Sequence, residues 1–119
     1  RAASVGDHND AIQLLGAPKD VEIARNKILN RNPQTSCIMM LGANISVRGN
    51  YLSGGGWTIY GGAANNGKGG ADASNITVTG NVFGRDFAHK SGHFGPVTYW
   101  GKANAWSDNR FQDGTSVVP

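Results

Sequence analysis

Two clusters of acids, bases and histidines, and one row of aromatic and aliphatic residues, are where this sequence could do chemistry. Asp7-His8-Asn9-Asp10 sets two carboxylates beside a histidine, just ahead of the apolar Ile12 and Leu14. Sugar hydrolysis needs one carboxyl as acid and one as base or nucleophile, roughly 5 to 9.5 Å apart. Asp7 and Asp10, with His8 between them, reach that range if both side chains share a surface. The plainer reading is a side-chain-to-backbone turn leading into Ile12. The second cluster is Arg85, Asp86, His89, Lys90 and His93. A metal would require His and carboxylate ligands converging at about 2.0–2.2 Å. His89 and His93 have helical spacing, but Ser91-Gly92 lies between them and Pro96 follows, so no metal or other cofactor is expected. Lys90 or Arg85 could instead act as a base on a uronate. The plainer reading is a polar loop tethered by an Arg85–Asp86 or Asp86–His89 contact.

The elements that must position these groups are written in an internal repeat. Asp20-Val21-Glu22-Ile23-Ala24-Arg25-Asn26-Lys27-Ile28 returns as Asn44-Ile45-Ser46-Val47-Arg48-Gly49-Asn50-Tyr51-Leu52 and as Asn75-Ile76-Thr77-Val78-Thr79-Gly80-Asn81-Val82-Phe83. A degenerate copy ends in Trp106-Ser107-Asp108-Asn109-Arg110-Phe111. A second phrase precedes each copy: Ile12 to Gly16, Ile38 to Gly42, Trp57 to Gly61 and Val97 to Gly101. Alternation at period two makes each phrase a short strand with one buried face. The glycines permit sharp bends, and the asparagines mark corners where a left-handed backbone is tolerated. Those asparagines lie 24, 31 and 28 residues apart. That spacing holds two or three strands with their bends, one coil of a stacked array. Stacking predicts interior columns of Ile23, Val47, Val78 and Trp106, and of Ile28, Leu52, Phe83 and Phe111. It also predicts a ladder of Asn26, Asn50, Asn81 and Asn109 that shares hydrogen bonds between coils.

The fold class expected is therefore all-β: a right-handed parallel β-helix of about four coils, forming one domain over residues 1–119. Its surface loops are expected at 62–74 and 84–96, the second folding over the body. Leu15, Leu41, Tyr60 and Trp100 should lean outward from the first-phrase column, with Trp57 and Tyr99 inward. An apolar outward column can pack against another subunit, stack on sugar rings or lie under the 84–96 loop. Subunit packing is the preferred expectation. The sequons at Asn44 and Asn75 coincide with turn positions of the repeat.

Composition narrows the classes further. Glycine is abundant at 18 residues, and charged residues are 16 %, below the roughly 25 % of ordinary domains. The net charge of +3 is spread along the chain, without a basic stripe for nucleic acid. No stretch approaches the ~20 apolar residues of a membrane helix, so no membrane insertion is expected. Cys37, the single cysteine, lies in an apolar run and reads as a small buried hydrophobe. Arg1 opens the chain without an initiator Met, and the repeat degenerates at Asn104 and Trp106. The expectation is a segment of a longer protein or assembly, its ends covered by further coils or other chains.

The repeat, with His8 to Gln13, Asn50 to Gly61 and Asn81 to Phe87, resembles the right-handed parallel β-helix, or pectate-lyase-like, superfamily over residues 7 to 113. The likeness is to a branch found in secreted actinobacterial proteins and in minor tail proteins of actinobacteriophages. It implies a carbohydrate-rich cell surface as the working environment, and a virion-tail or extracellular location. Sugar-cleaving members carry further carboxylates on adjacent coils, at places held here by Gln13, Met39, Thr58 and Thr98. The lyases' calcium-binding acidic cluster has no counterpart. The function expected is a non-catalytic structural and surface-recognition module of a phage tail or other virion-surface protein. Its partners would be other subunits, homo-oligomeric, and a cell-surface polysaccharide, with Leu15, Leu41, Tyr60, Trp100, Arg85, His89 and His93 in contact. The alternative is a polysaccharide lyase or glycoside hydrolase fragment using Asp7, Asp10 and His8.

Overall fold

Short alternating runs broken by Gly, Asn and Asp cannot propagate a helix, and they pair sideways instead. A computed structural model describes residues 11–14, 19–40, 43–61, 74–101 and 104–119. Every regular element among them is a strand. In chain order these are β1 (Ile12–Gln13), β2 (Lys19–Ala24), β3 (Lys27–Asn30), β4 (Ile38–Met39), β5 (Ala43–Arg48) and β6 (Tyr51–Gly54). Then follow β7 (Trp57–Tyr60), β8 (Ser74–Thr79), β9 (Val82–Phe83), β10 (Gly95–Thr98), β11 (Ala105–Ser107) and β12 (Arg110–Phe111). They form three four-stranded sheets with the orders β1-β4-β7-β10, β2-β5-β8-β11 and β3-β6-β9-β12. All the pairings within them are parallel. Each sheet takes every third strand, so the crossover that a parallel pair needs is supplied by the two intervening strands.

The register follows the repeat. Ile23 pairs with Val47, Val47 with Val78, and Val78 with Trp106. Ile28, Leu52, Phe83 and Phe111 align in the same way. Val47, Leu52, Val78 and Phe83 are fully buried, and with Ile38, Ile45, Ile59 and Ile76 they make the core. The first-phrase column differs from expectation by two residues in β7. Ile59, not Trp57, stands between Ile38 and Val97. The interior there takes an aliphatic side chain, while Trp57 stays half-exposed with its ring over Gly95.

The expected asparagine ladder is present. Asn26 N–H and Nδ2 both donate to Asn50 Oδ1, at 2.9 and 3.2 Å. Asn50 repeats this on Asn81 at 2.9 and 3.0 Å, and Asn81 on Asn109 at 3.1 and 2.9 Å. The remaining amide hydrogen of Asn50, Asn81 and Asn109 reaches back to Ile23 O, Val47 O and Val78 O. The left-handed residue at this corner is not the asparagine, as the sequence suggested, but the one before it. Arg25, Gly49, Gly80 and Asp108 have φ of 56, 68, 66 and 53°. That residue turns the chain, which leaves the asparagine free to point along the stacking direction. Asp20, Asn44 and Asn75 make an exposed second ladder, also at positive φ, joined by bonds of 2.9 and 2.7 Å.

The third corner is built from Gly54, Gly55 and Gly56. A Cβ on Gly54 would lie 1.9 Å from Asn30 O, at a φ of +107° that L side chains rarely adopt. Beside it Thr58 Oγ1 donates to Gly54 O at 2.9 Å and lies 3.0 Å from Ser91 Oγ. Cys37 is buried as expected, its Sγ 3.3 Å from Ser53 O.

Asn81→Ala strips partners from buried Asn50 and from Val47 O at once. It should destabilise the chain by on the order of 3 kcal/mol. Asn26→Ala, at the exposed end of the ladder, should cost less than about 1 kcal/mol. Urea unfolding followed by circular dichroism separates the two, and equal costs would mean that the inner bonds contribute nothing beyond surface ones.

Candidate functional site

Of the residues singled out for chemistry, Asp7, His8 and Asp10 lie outside the described residues, as do Leu15, Leu41 and residues 62–73 of the first expected loop. Tyr60, Trp100, Arg85, His89 and His93 are described. The structure gathers them into two neighbourhoods: an aromatic group around β7 and β10, and a polar group around residues 84–94.

In the aromatic group, Tyr60 closes β7 half-buried, with its ring 5.8 Å from that of Tyr99. Tyr99 is 36 % exposed, whereas Trp100 packs onto the core, edge-on to Trp106 at 5.2 Å. The expected inward and outward positions are thus exchanged. Tyr99 adopts a φ of 53°, and one left-handed residue after Thr98 breaks the alternation and turns the next side chain over. Trp57 was also expected inside, but its ring lies 6.3 Å from Phe94, which is 58 % exposed. His93 meets Phe94 edge-on at 5.0 Å. The exposed aromatics therefore form two separate pairs, Trp57–Phe94 with His93 and Tyr60–Tyr99, because Trp57 and Tyr60 are three residues apart in β7 and alternate to opposite faces.

Residues 84–94 lie over the glycine corner, which lets backbone approach backbone. Ser91 O accepts from Gly54 N at 3.0 Å, while His93 N and Phe94 N donate to Gly55 O and Gly56 O at 2.8 and 2.7 Å. The tethers differ from the two expected ones. Arg85 Nε donates to His89 O at 2.7 Å and Nη1 to Asp113 Oδ2 at 3.1 Å, with the guanidinium 4.3 Å above the Phe111 ring. Asp86 accepts from the Tyr51 hydroxyl, and its N–H donates to Ser53 Oγ at 3.1 Å. His89 and His93 are exposed, and among the described residues no three His, Cys, Asp or Glu side chains are placed to hold a metal.

The electrostatics describe a surface whose charges hold structure. Burial, and then the bond to Asp86, push the Tyr51 phenol up to about 12. That same bond holds the Asp86 carboxyl below the usual carboxylate range. Thr115, and then Arg85, hold Asp113 lower still. Arg48, 2.8 Å away, lowers Glu22. Asp20 accepts from Asn44, and Asp108 lies 3.9 Å from Arg110. Every carboxylate among the described residues is thus engaged with a neighbour.

Compared with known proteins, the chain matches no family model, no curated protein and no solved structure. Among the described residues no helix is long and apolar enough to cross a membrane.

Tyr51, Asp86, Asp113 and Phe94 were not legible as partners in the sequence. Tyr51 and Asp86 are 35 residues apart, and only the stacking of β6 under β9 brings them together. The available signal was weak: Tyr51 occupies an outward position of the repeat where a polar group can meet a loop.

Each lowered carboxyl favours the folded state in its ionised form. Their contribution is complete above about pH 5 and is lost as pH falls through and below the ordinary carboxylate range, about 3.9–4.3. Tyr51→Phe should move the Asp86 titration up toward that range, read from the side-chain carbon shift by NMR. An unmoved Asp86 would show that Ser53 and the backbone, rather than the phenol, hold it.

Proposed function

We propose that this chain is a non-catalytic structural and surface-recognition module, built as a right-handed parallel β-helix of about four coils. The reading places it in the pectate-lyase-like superfamily, in a phage tail or other virion-surface protein, at the virion or outside the cell. One observation carries it: the Asn26–Asn50–Asn81–Asn109 ladder, spanning all three junctions between successive repeats. Such a ladder supports the coiled architecture, because it suits a chain that returns to the same corner at each turn. Three parallel sheets visited in fixed rotation agree with this. Right-handed winding is the hand that parallel crossovers almost always take.

Recognition falls to the exposed aromatic pairs. Phe94 beside Trp57, and Tyr99 beside Tyr60, each offer an apolar ring face to a sugar ring or to another subunit. The described carboxylates are committed to Tyr51, Arg85, Thr115, Arg48, Asn44 and Arg110. Those commitments suit a scaffold. Arg85 in particular braces the 84–94 segment rather than reaching for a ligand.

A panel of bacterial surface polysaccharides, screened for both binding and cleavage, tests the proposal. Retention on at least one glycan is expected, weakened about fivefold by Tyr99→Ala or Phe94→Ala, since one stacked ring contributes about 1 kcal/mol. Release of unsaturated uronates or new reducing ends would overturn the non-catalytic reading in favour of the Asp7, His8 and Asp10 alternative.

A further inference from the structure

The backbone carbonyl of each ladder asparagine receives the N–H of a residue one repeat later. Asn26 O accepts from Tyr51 at 2.8 Å, Asn50 O from Val82 at 2.8 Å and Asn81 O from Arg110 at 3.0 Å. Asn109 O also has a donor, Val117 N at 2.7 Å, but this one arrives from a chain reversal. After β12 the backbone turns through Gly114, at a φ of +88°, closed by Phe111 N to Thr115 O at 2.8 Å and Gly114 N to Phe111 O at 2.9 Å. It then runs back antiparallel, bridging Arg110 to Ser116. Val117 is 3 % exposed and joins the core, and its carbonyl accepts from Trp106 Nε1 at 2.7 Å. The returning segment stands where the next repeat would stand.

It imitates that repeat incompletely. Asn26, Asn50 and Asn81 each donate their N–H and one amide hydrogen to the next asparagine's Oδ1. For Asn109, 2 % exposed, neither donor finds such an acceptor among the described residues. At the opposite end Asn26 Oδ1 lies exposed, and among the described residues nothing donates to it. The two ends of the ladder are therefore complementary, donor facing acceptor. Joining them would be a head-to-tail contact that never closes on itself.

We infer that Gln112–Val117 is a built-in cap that keeps the β12 edge from accepting the Asn26 edge of a second copy of this chain. The cap is latched from outside the core. Arg85 N donates to Gln112 Oε1 at 2.9 Å, Arg85 Nη1 reaches Asp113 Oδ2 at 3.1 Å, and Asp113 Oδ1 accepts from Thr115 N at 2.9 Å. The 84–94 segment thereby holds the cap in place as well as covering the glycine corner.

The test compares full-length chains by light scattering across a concentration series, with circular dichroism to establish folding. Val117→Pro removes the N–H given to Asn109, and Asp113→Ala releases the latch without touching the core. Either variant should show mass growing with concentration and reaching no fixed stoichiometry, whereas the unaltered chain keeps a defined mass. Adding Asn26→Ala, which removes the acceptor at the other end of the ladder, should restore the defined mass. Asp113→Ala covers the case in which Val117→Pro does not fold. Folded variants with unchanged mass would overturn the inference. So would growth that Asn26→Ala leaves intact, because association would then come from exposed core and not from ladder pairing.

Discussion

A buried primary amide has two hydrogens and a carbonyl oxygen to satisfy, and leaving any of them bare costs about 1–3 kcal/mol. Asn50 and Asn81 are almost wholly buried and meet that demand only because a similar residue lies above and below. Each one binds the carbonyl of the preceding repeat and the amide oxygen of the following one. The requirement sets the register of β2, β5, β8 and β11 on one side of the corner, and of β3, β6, β9 and β12 on the other. A slip of one residue in either sheet would orphan the amides and would also turn the apolar columns outward.

The two other corners solve different problems. At Gly54–Gly56 three stretches of backbone come too close for any side chain, so the glycine run admits Pro33–Ser36 on one side and Ser91–Phe94 on the other. Hydroxyls of Thr58 and Ser91 fill the small polar space that remains. At Asp20, Asn44 and Asn75 the ladder is exposed, and its bonds are exchanged with water at little net gain. The buried ladder and the glycine corner hold the repeats together, and the exposed one chiefly accommodates the turn.

The surface features hang on this frame. Residues 84–94 are anchored through backbone bonds to the glycine corner and through Arg85 and Asp86 to Asp113 and Tyr51. That anchorage places Phe94 and His93 beside Trp57. Arg85 links this segment to the returning chain, so the Trp57–Phe94 pair and the covered β12 edge share one brace.

The amino-acid sequence by itself determined the all-β character, the two interior columns through Ile23 and Ile28, and the Asn26–Asn109 ladder. Alternation within a strand and recurrence between strands are local signals, and together they specify which residues stack. The same logic failed wherever one residue leaves the extended region. Tyr99 at positive φ inverted the expected places of Tyr99 and Trp100, and a two-residue shift after the glycine run put Ile59 where Trp57 was expected. Only the tertiary structure decided the Tyr51–Asp86 bond, the Arg85–Asp113 brace and the return of Val117 to Asn109. Those contacts join a loop or a tail to a strand through the distances between stacked repeats, and no periodicity along the chain records such distances.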